Sequence, residues 1–295
     1  MHKSRKEFEW VVSLQQKQKA MLKNKTDMLY ELYELCETEQ QRDLLKDLIV
    51  RFDCFDEDVY NLALLSMVEY ISSLGYNWDE TAIVAFCHNS SADSSQRLLN
   101  DIKVPLYKAC NCNIVTINRF DRIERFYRRL AIKHFIAIDE FIGSGQTILN
   151  LHNDFTKKSL AGATIDYCLI AGMEDAIINA RANGLNVKVE YPMKKGISAY
   201  YSGESLKGRI QDMTFLEDKL ASQVGDLLLS DYHLGYGQSE ALYSKLYANV
   251  PNNVFPIFWW KRYKKGTSRM TIFDRVQDAL KFWDQFGAKT KKSPS

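Results

Sequence analysis

Phe135-Ile136-Ala137-Ile138-Asp139-Glu140-Phe141-Ile142-Gly143-Ser144-Gly145-Gln146-Thr147 decides how the rest of this chain is read. Four apolar residues, Phe135 to Ile138, run into two adjacent carboxylates. Phe141 and Ile142 follow, then a run of small and polar residues that opens a helix near Ile148-Leu149. The pattern predicts a buried strand, an acidic pair at its end and a small-residue loop entering a helix. Such a loop points backbone amides and hydroxyls at an anion, and the helix dipole favours negative charge there. Carboxylates cannot hold phosphate directly, but they accept hydrogen bonds from sugar hydroxyls or face a bridging Mg²⁺. Together these residues suit a phosphorylated sugar.

At these positions the chain resembles the phosphoribosyltransferase family. The shared signature is an apolar strand, two acidic residues, two apolar residues, any residue, Ser or Thr, Gly, any residue, Thr. Each class is met without a gap. The resemblance implies that Gly143, Ser144, Gly145, Gln146 and Thr147 hold the 5′-phosphate of 5-phosphoribosyl-1-pyrophosphate. It implies that Asp139 and Glu140 hold the ribose hydroxyls, act as the catalytic carboxylates and face Mg²⁺ indirectly. Mg²⁺ is the cofactor expected with that substrate. The alternative is an ordinary strand–loop–helix junction in which Asp139 merely caps.

Around this stretch the pattern is strand, loop, helix, repeated. Ala82–Phe86 reads as a strand, followed by the polar loop Cys87–Ser95, in which Ser91 to Asp93 offer N-cap chemistry for a helix over Gln96–Ile102. Ile114–Ile117, Thr164–Ile170 and Leu185–Val189 are further strands, and Ile123–Ile132 and Met173–Asn183 are helices. The alternation predicts an α/β fold with a mostly parallel sheet and helices on both faces. That agrees with the phosphoribosyltransferase type, with the motif at a strand's carboxyl end. Residues 1–75 lack strand signals and carry helical apolar stripes, such as Leu44, Leu45, Leu48 and Ile49. They are expected to form an all-helical appendage, packed on the main domain or presenting a docking surface. The phosphoribosyltransferase-like domain is placed at 76–285, and 286–295 is expected to be a disordered tail. Phe255–Trp260 is a strand candidate, and Lys261–Gly266 a basic turn.

Gly-Tyr-Gly-Gln-Ser at 235–239, with Pro-Asn-Asn at 251–253 and the apolar Phe255–Trp260, carries a second resemblance. It is similar to the carboxyl-terminal part of a divergent phosphoribosyltransferase-like group of bacterial conflict and anti-phage defence operons, including some retrons. That resemblance implies an effector role and a protein partner encoded in the same operon. The competing reading is a non-catalytic nucleotide-sensing or regulatory subunit of a defence complex.

Two departures from the family bear on activity. The loop after the first strand, where the family grips pyrophosphate, supplies His88, Asn89, Ser90 and Ser91 but no Lys or Arg. Gly143 stands where some members place a carboxylate that acts as base. Positive charge for a pyrophosphate would come from elsewhere, with Lys207, Arg209, Arg262 and Arg269 as candidates beside an ordinary solvated role. Glu174 and Asp175 either face the cleft or favour a helix N-terminus. The aromatic run 255–263 either stacks nucleobases or packs the core, and Arg122, Arg125, Arg128, Arg129 and Lys133 form a basic face.

Composition sets bounds on all of this. A net charge of +2 over 295 residues argues against a strong overall preference for nucleic acid or membrane, although local patches leave nucleic acid open. The charged N-terminus is no secretory signal, and no apolar run approaches the ~20 residues a membrane span needs. Six scattered cysteines fit reduced cytosolic thiols, and Cys110 and Cys112 lack the second pair or nearby His of a zinc site. A cytoplasmic location is expected, with a phosphorylated sugar or nucleotide as ligand and no membrane partner.

Overall fold

Strands that are apolar along their whole length belong in a sheet covered on both faces, and this chain builds such a sheet. The computed structural model describes residues 4–87 and 94–276. Residues 88–91 of the expected pyrophosphate loop and the expected tail at 286–295 lie outside the described residues. The elements in chain order begin with α1 (Arg5–Lys17), α2 (Thr26–Leu35), α3 (Glu39–Val50), β1 (Asp53–Phe55) and α4 (Glu57–Ser73). Next come β2 (Thr81–Ala85), α5 (Ser94–Cys110), β3 (Val115–Ile117), α6 (Ile123–Leu130), β4 (His134–Ile142) and α7 (Gln146–Lys157). They end with β5 (Thr164–Met173), α8 (Glu174–Ala182), β6 (Asn186–Met193), α9 (Gly203–Glu217), β7 (Gln223–Val224), β8 (Leu227–Leu228) and β9 (Tyr243–Lys245).

Five strands pair in the order β3-β2-β4-β5-β6, all parallel. Phe135 to Ile138 of β4, at the centre, are fully buried, as are Ala82 to Ala85 of β2. The chain leaves β2 in one direction to reach β3 and thereafter moves the other way through β4, β5 and β6. Right-handed crossovers therefore put α5 on one face and α7 and α8 on the other. The order reverses between β2 and β4, so the crevice at their carboxyl ends is the topological switch point where α/β sites form. The strands expected between residues 82 and 189 are all present. β5 and β6 run further than their apolar cores suggest, and β6 tolerates Pro192 because it is an edge strand with no further ladder to feed.

The N-terminal helices are present and lie within the same hydrophobic core as the sheet, which extends from Trp10 to Phe273. α4 packs on α5, β5 and β6. The segment 1–75 also contains a strand: β1 pairs in parallel with β9, Asp53 opposite Tyr243. Phe52 stacks on Phe273 with ring centroids 4.5 Å apart and meets Phe258 edge-on at 6.0 Å. Glu31 of α2 accepts from the Tyr263 hydroxyl at 2.5 Å and from Met270 N at 3.0 Å.

Phe255–Trp260 departs from expectation. It is a 3₁₀ turn at Pro256–Phe258, not a strand, with Pro256 opening the turn. Proline fixes φ and has no N–H for a ladder, so it starts a turn more readily than it extends a sheet. Phe255, Ile257, Phe258, Trp259 and Trp260 are all buried, so this run is core. Among the described residues no helix is long and apolar enough to cross a membrane.

Since Phe52 joins the N-terminal layer to residues 258 and 273, Phe52→Ala should destabilise the whole molecule by about 3–5 kcal/mol. Urea denaturation followed by tryptophan fluorescence should show one cooperative transition moved to lower denaturant. An early, separate loss of the N-terminal helices would contradict a shared core.

Candidate functional site

Adjacent residues of a strand point to opposite faces, and the carboxylates at the end of β4 obey that rule. Asp139 lines a cavity at the switch point together with Phe141, Gly143, Ser144, Gly145 and Thr147. Its Oδ1 accepts from the Ser94 hydroxyl at 3.0 Å and from the Glu140 amide at 2.7 Å. Glu140 turns away from that cavity, is 8% exposed, and accepts from the Tyr243 hydroxyl at 3.2 Å. Burial pushes its carboxyl up from the usual 4.5, opposed by Lys245, the Tyr243 hydroxyl and Arg97. The acidic pair expected to share one ligand is thus split: Asp139 is at the cavity, and Glu140 is in a buried cluster with Tyr243, which stacks on Phe141 at 4.8 Å.

Beyond Ile142 the chain makes the expected small-residue loop into a helix. Gly145 is the N-cap of α7 with φ 81°, and no side chain caps the helix. The first amides of a helix have no partner within it, and at α7 that of Gln146 donates to the Ser144 hydroxyl. Ser144 Oγ lies 3.4 Å from Gln146 N. Thr147 lines the cavity, but Gln146 does not: its Nε2 donates to Asn150 Oδ1 at 2.8 Å along its own helix.

The opposite wall comes from a part of the chain that sequence reasoning did not bring here. Tyr236, Asn252 and Asn253 line the same cavity. A Cβ on Gly143 would sit 2.0 Å from Asn253 Cγ, so the missing side chain makes room for the Asn253 amide. Asn253 Nδ2 donates to Tyr236 O at 3.0 Å and to Ser239 Oγ at 2.9 Å, and Tyr236 N donates to Asn252 O at 2.9 Å. Gly235 has φ 79°, and a Cβ there would lie 1.8 Å from Asn253 O, so only glycine fits on both counts. Gly-Tyr-Gly and Pro-Asn-Asn are runs of turn-forming residues, yet nothing local says that these turns close on residues 143–144.

The cavity so enclosed has a volume of ≈ 120 Å³. Sites for whole small molecules run to about 300–1,000 Å³. This one is smaller than that range.

The basic residues proposed to balance a pyrophosphate are engaged elsewhere. Arg209 donates to Gln40 O at 2.6 Å, Lys207 pairs with Glu204 at 2.7 Å, and Arg262 lies 3.5 Å from Gly266 O. Arg269 is buried and donates to Ile257 O at 2.8 Å and Trp260 O at 3.2 Å. Asp175 pairs with Lys195 at 3.2 Å, and Glu174 starts α8. Cations do stand near Glu140: Arg97, 3.8 Å from Asp101, and Lys245, whose Nζ lies 3.0 Å from the centre of the Tyr60 ring. On the basic face, Arg128 pairs with Glu124 and Lys133 with Glu80.

A magnesium ion fits only one of the two carboxylates. Among the described residues no group of three or more His, Cys, Asp or Glu could hold a metal. Mg²⁺ is commonly held by one or two carboxylates plus the phosphates of a substrate, and Asp139 is placed for that. Glu140, buried and bonded to Tyr243, is not.

Gly143→Ala should destabilise the protein by about 1–3 kcal/mol, because the new methyl meets the Asn253 amide. Adding Asn253→Ala should return part of that loss, and a double-mutant cycle by thermal denaturation measures the coupling. Strict additivity would contradict the contact.

The chain matches the PRTase-CE family model over residues 23–275. No curated protein matches it. Solved structures similar to it include a hypothetical protein from Neisseria gonorrhoeae with bound ppGpp, at 9% identity, covering 48% of this chain and 83% of that one with a TM-score of 0.33. Another is a hypoxanthine-guanine-xanthine phosphoribosyltransferase, at 11% identity, covering 46% of this chain and 75% of that one with a TM-score of 0.30. With a family match that takes in the sheet, the motif loop and the wall that closes on it, this chain belongs to the PRTase-CE family.

Proposed function

We propose that this protein binds a 5′-phosphorylated ribose ligand, either 5-phosphoribosyl-1-pyrophosphate or a nucleotide, and transfers or cleaves its phosphoribosyl group. The observation that carries this reading is one cavity at the switch point lined both by the loop opening α7 and by Asp139. Gly143, Ser144, Gly145 and Thr147 would hold the phosphate through amides and hydroxyls at the helix N-terminus. Asp139 would accept from the ribose hydroxyls and face a Mg²⁺ that arrives with the diphosphate. In turnover the bond from the anomeric carbon to pyrophosphate breaks, pyrophosphate leaves with the electron pair, and an acceptor or water bonds to that carbon. The transition state is oxocarbenium-like, so the Asp139 carboxylate is favourable electrostatics near the ribose. Anchoring the phosphate lets remote binding energy orient the anomeric carbon.

A second reading, a nucleotide sensor without turnover, is favoured by the position of Glu140. One of the two expected carboxylates is buried against Tyr243 and does not line the cavity. An effector role in bacterial anti-phage defence, with a partner from the same operon, rests on the resemblance carried by residues 235–239 and 251–260. It belongs to the proposal on the same terms.

Calorimetry with 5-phosphoribosyl-1-pyrophosphate and Mg²⁺, paired with a pyrophosphate-release assay, tests both readings. The wild type should bind, Asp139→Asn should bind about tenfold or more weakly, which is ~1.4 kcal/mol, and Glu140→Gln should bind nearly as the wild type. Pyrophosphate release with water or a panel of bases supports the transferase. Binding without release across the panel favours the sensor, and no binding by the wild type overturns both.

A further inference from the structure

The turn that closes on the phosphate loop is held at its base by a carboxyl–imidazole pair from outside the motif. Glu217, the last residue of α9, is wholly buried. Its Oε2 accepts from Leu234 N at 3.0 Å and lies 3.0 Å from His233 Nδ1, while its Oε1 is buried without a hydrogen-bond partner. Between this anchor and Glu240 the backbone is left-handed at Leu234, Gly235, Gly237, Gln238 and Glu240. The far end is tied by Glu240, whose carboxylate accepts from Ile197 N at 2.8 Å, Ser198 N at 2.7 Å and the Ser198 hydroxyl. The tip of the turn meets the site: Tyr236 lines the cavity, and a Cβ on Gly237 would come within 2.7 Å of Ser144 Cβ. Sparsely populated backbone states persist only where their surroundings over-determine them. Here Glu217 supplies that constraint on one side and Glu240 on the other.

We propose that Glu217 and His233 are positioning residues for the anion cavity: their hydrogen bond fixes the turn that places Tyr236 and Gly237 against the phosphate loop, and so sets how tightly a phosphorylated ligand is held. The inference deepens the sugar-phosphate reading above and rests on it for the identity of the ligand. It makes the site pH-dependent in a definite direction. His233 is held above its ordinary value of 6.5, first by its hydrogen bond to Glu217, against an opposing effect of burial, and with help from the charges of Glu217 and Asp218. Burial likewise pushes the Glu217 carboxyl above 4.5, against the hydrogen bonds from His233 and Leu234. Asp218 is the other charged group acting on the pair. Both shifts favour keeping a proton on the pair. A raised folded-state pKa for His233 means its stabilisation is complete below pH 6.5 and is lost as pH rises through the folded value. Losing that proton removes the positive charge beside a buried carboxylate whose Oε1 already has no partner, so the turn loosens on the alkaline side.

Two measurements on the full chain test this. Hydrogen-exchange protection of residues 233–240, read without ligand from about pH 5.5 to 9, should fall in one step above pH ~6.5 in the wild type. In His233→Gln, which keeps a donor for Glu217 but cannot titrate, the step should vanish while the remaining protein keeps wild-type protection. Calorimetric affinity for 5-phosphoribosyl-1-pyrophosphate with Mg²⁺ should fall several-fold over the same step in the wild type and stay level in His233→Gln. A protection profile that is flat with pH in the wild type, or stepped alike in both proteins, overturns the positioning role. Ligand affinity that ignores the step overturns it as well. A His233-dependent step with no ligand bound at any pH upholds the control of the turn and overturns the sugar-phosphate reading instead.

Discussion

The amide of Asn253 fills the space that a side chain would need at Gly143, and the shape of the site follows from that contact. It brings the C-terminal third of the chain against the loop at the end of β4. The cavity thereby has two walls from distant sequence: an open helix N-terminus with Asp139 on one side, and Tyr236, Asn252 and Asn253 on the other. Because the amide is itself bonded to Tyr236 O and Ser239 Oγ, the two loops are fixed as a unit. The bare Gly143, which read from sequence as the loss of a possible base, has a structural role in this chain. A carboxylate there would displace Asn253 and open the cavity.

That closure carries an energetic cost met elsewhere in the fold. Leu234, Gln238 and Glu240 are non-glycine residues in left-handed conformation, each costing of order 1–3 kcal/mol. The surrounding anchors are buried carboxylates bonded to backbone amides, which are stronger than neutral hydrogen bonds. They rest in turn on α9 and the 196–198 segment, against which the N-terminal layer packs: Arg51 donates to Gly196 O at 3.0 Å, and the Tyr201 hydroxyl to Asp47 at 2.6 Å. The N-terminal helices thus support the frame that holds the turn, through the same core that includes the sheet.

Much of the fold was legible because β2, β4 and β5 are buried on both faces and leave continuous apolar runs in the sequence. The loop and helix after β4 were legible from Gly143-Ser144-Gly145. The separation of Asp139 from Glu140 could have been read from the period of a strand, which sends neighbours to opposite faces. The motif of the resembled family, which treats the pair as one unit, obscured it. Tyr236, Asn252 and Asn253 were not legible at the site, since a turn signal fixes local backbone and says nothing about what the turn touches. Nor was the buried anchor at Glu217, which in sequence is one charged residue at a helix end. Phe255–Trp260 misled for a different reason: a run of apolar residues signals burial, and the proline within it decides against a strand.

The proposed place of the phosphate group is between the start of α7 and the turn carrying Tyr236. A backbone-amide NMR titration with ribose 5-phosphate probes this without relying on chemistry, because it reports where an anion binds whether or not the protein turns it over. Saturable shifts are expected at Ser144, Gly145, Thr147 and Tyr236, reduced in Gly143→Ala, where the second wall is displaced. Saturable shifts confined to other parts of the chain, or none at these amides, would show that the phosphate does not sit there.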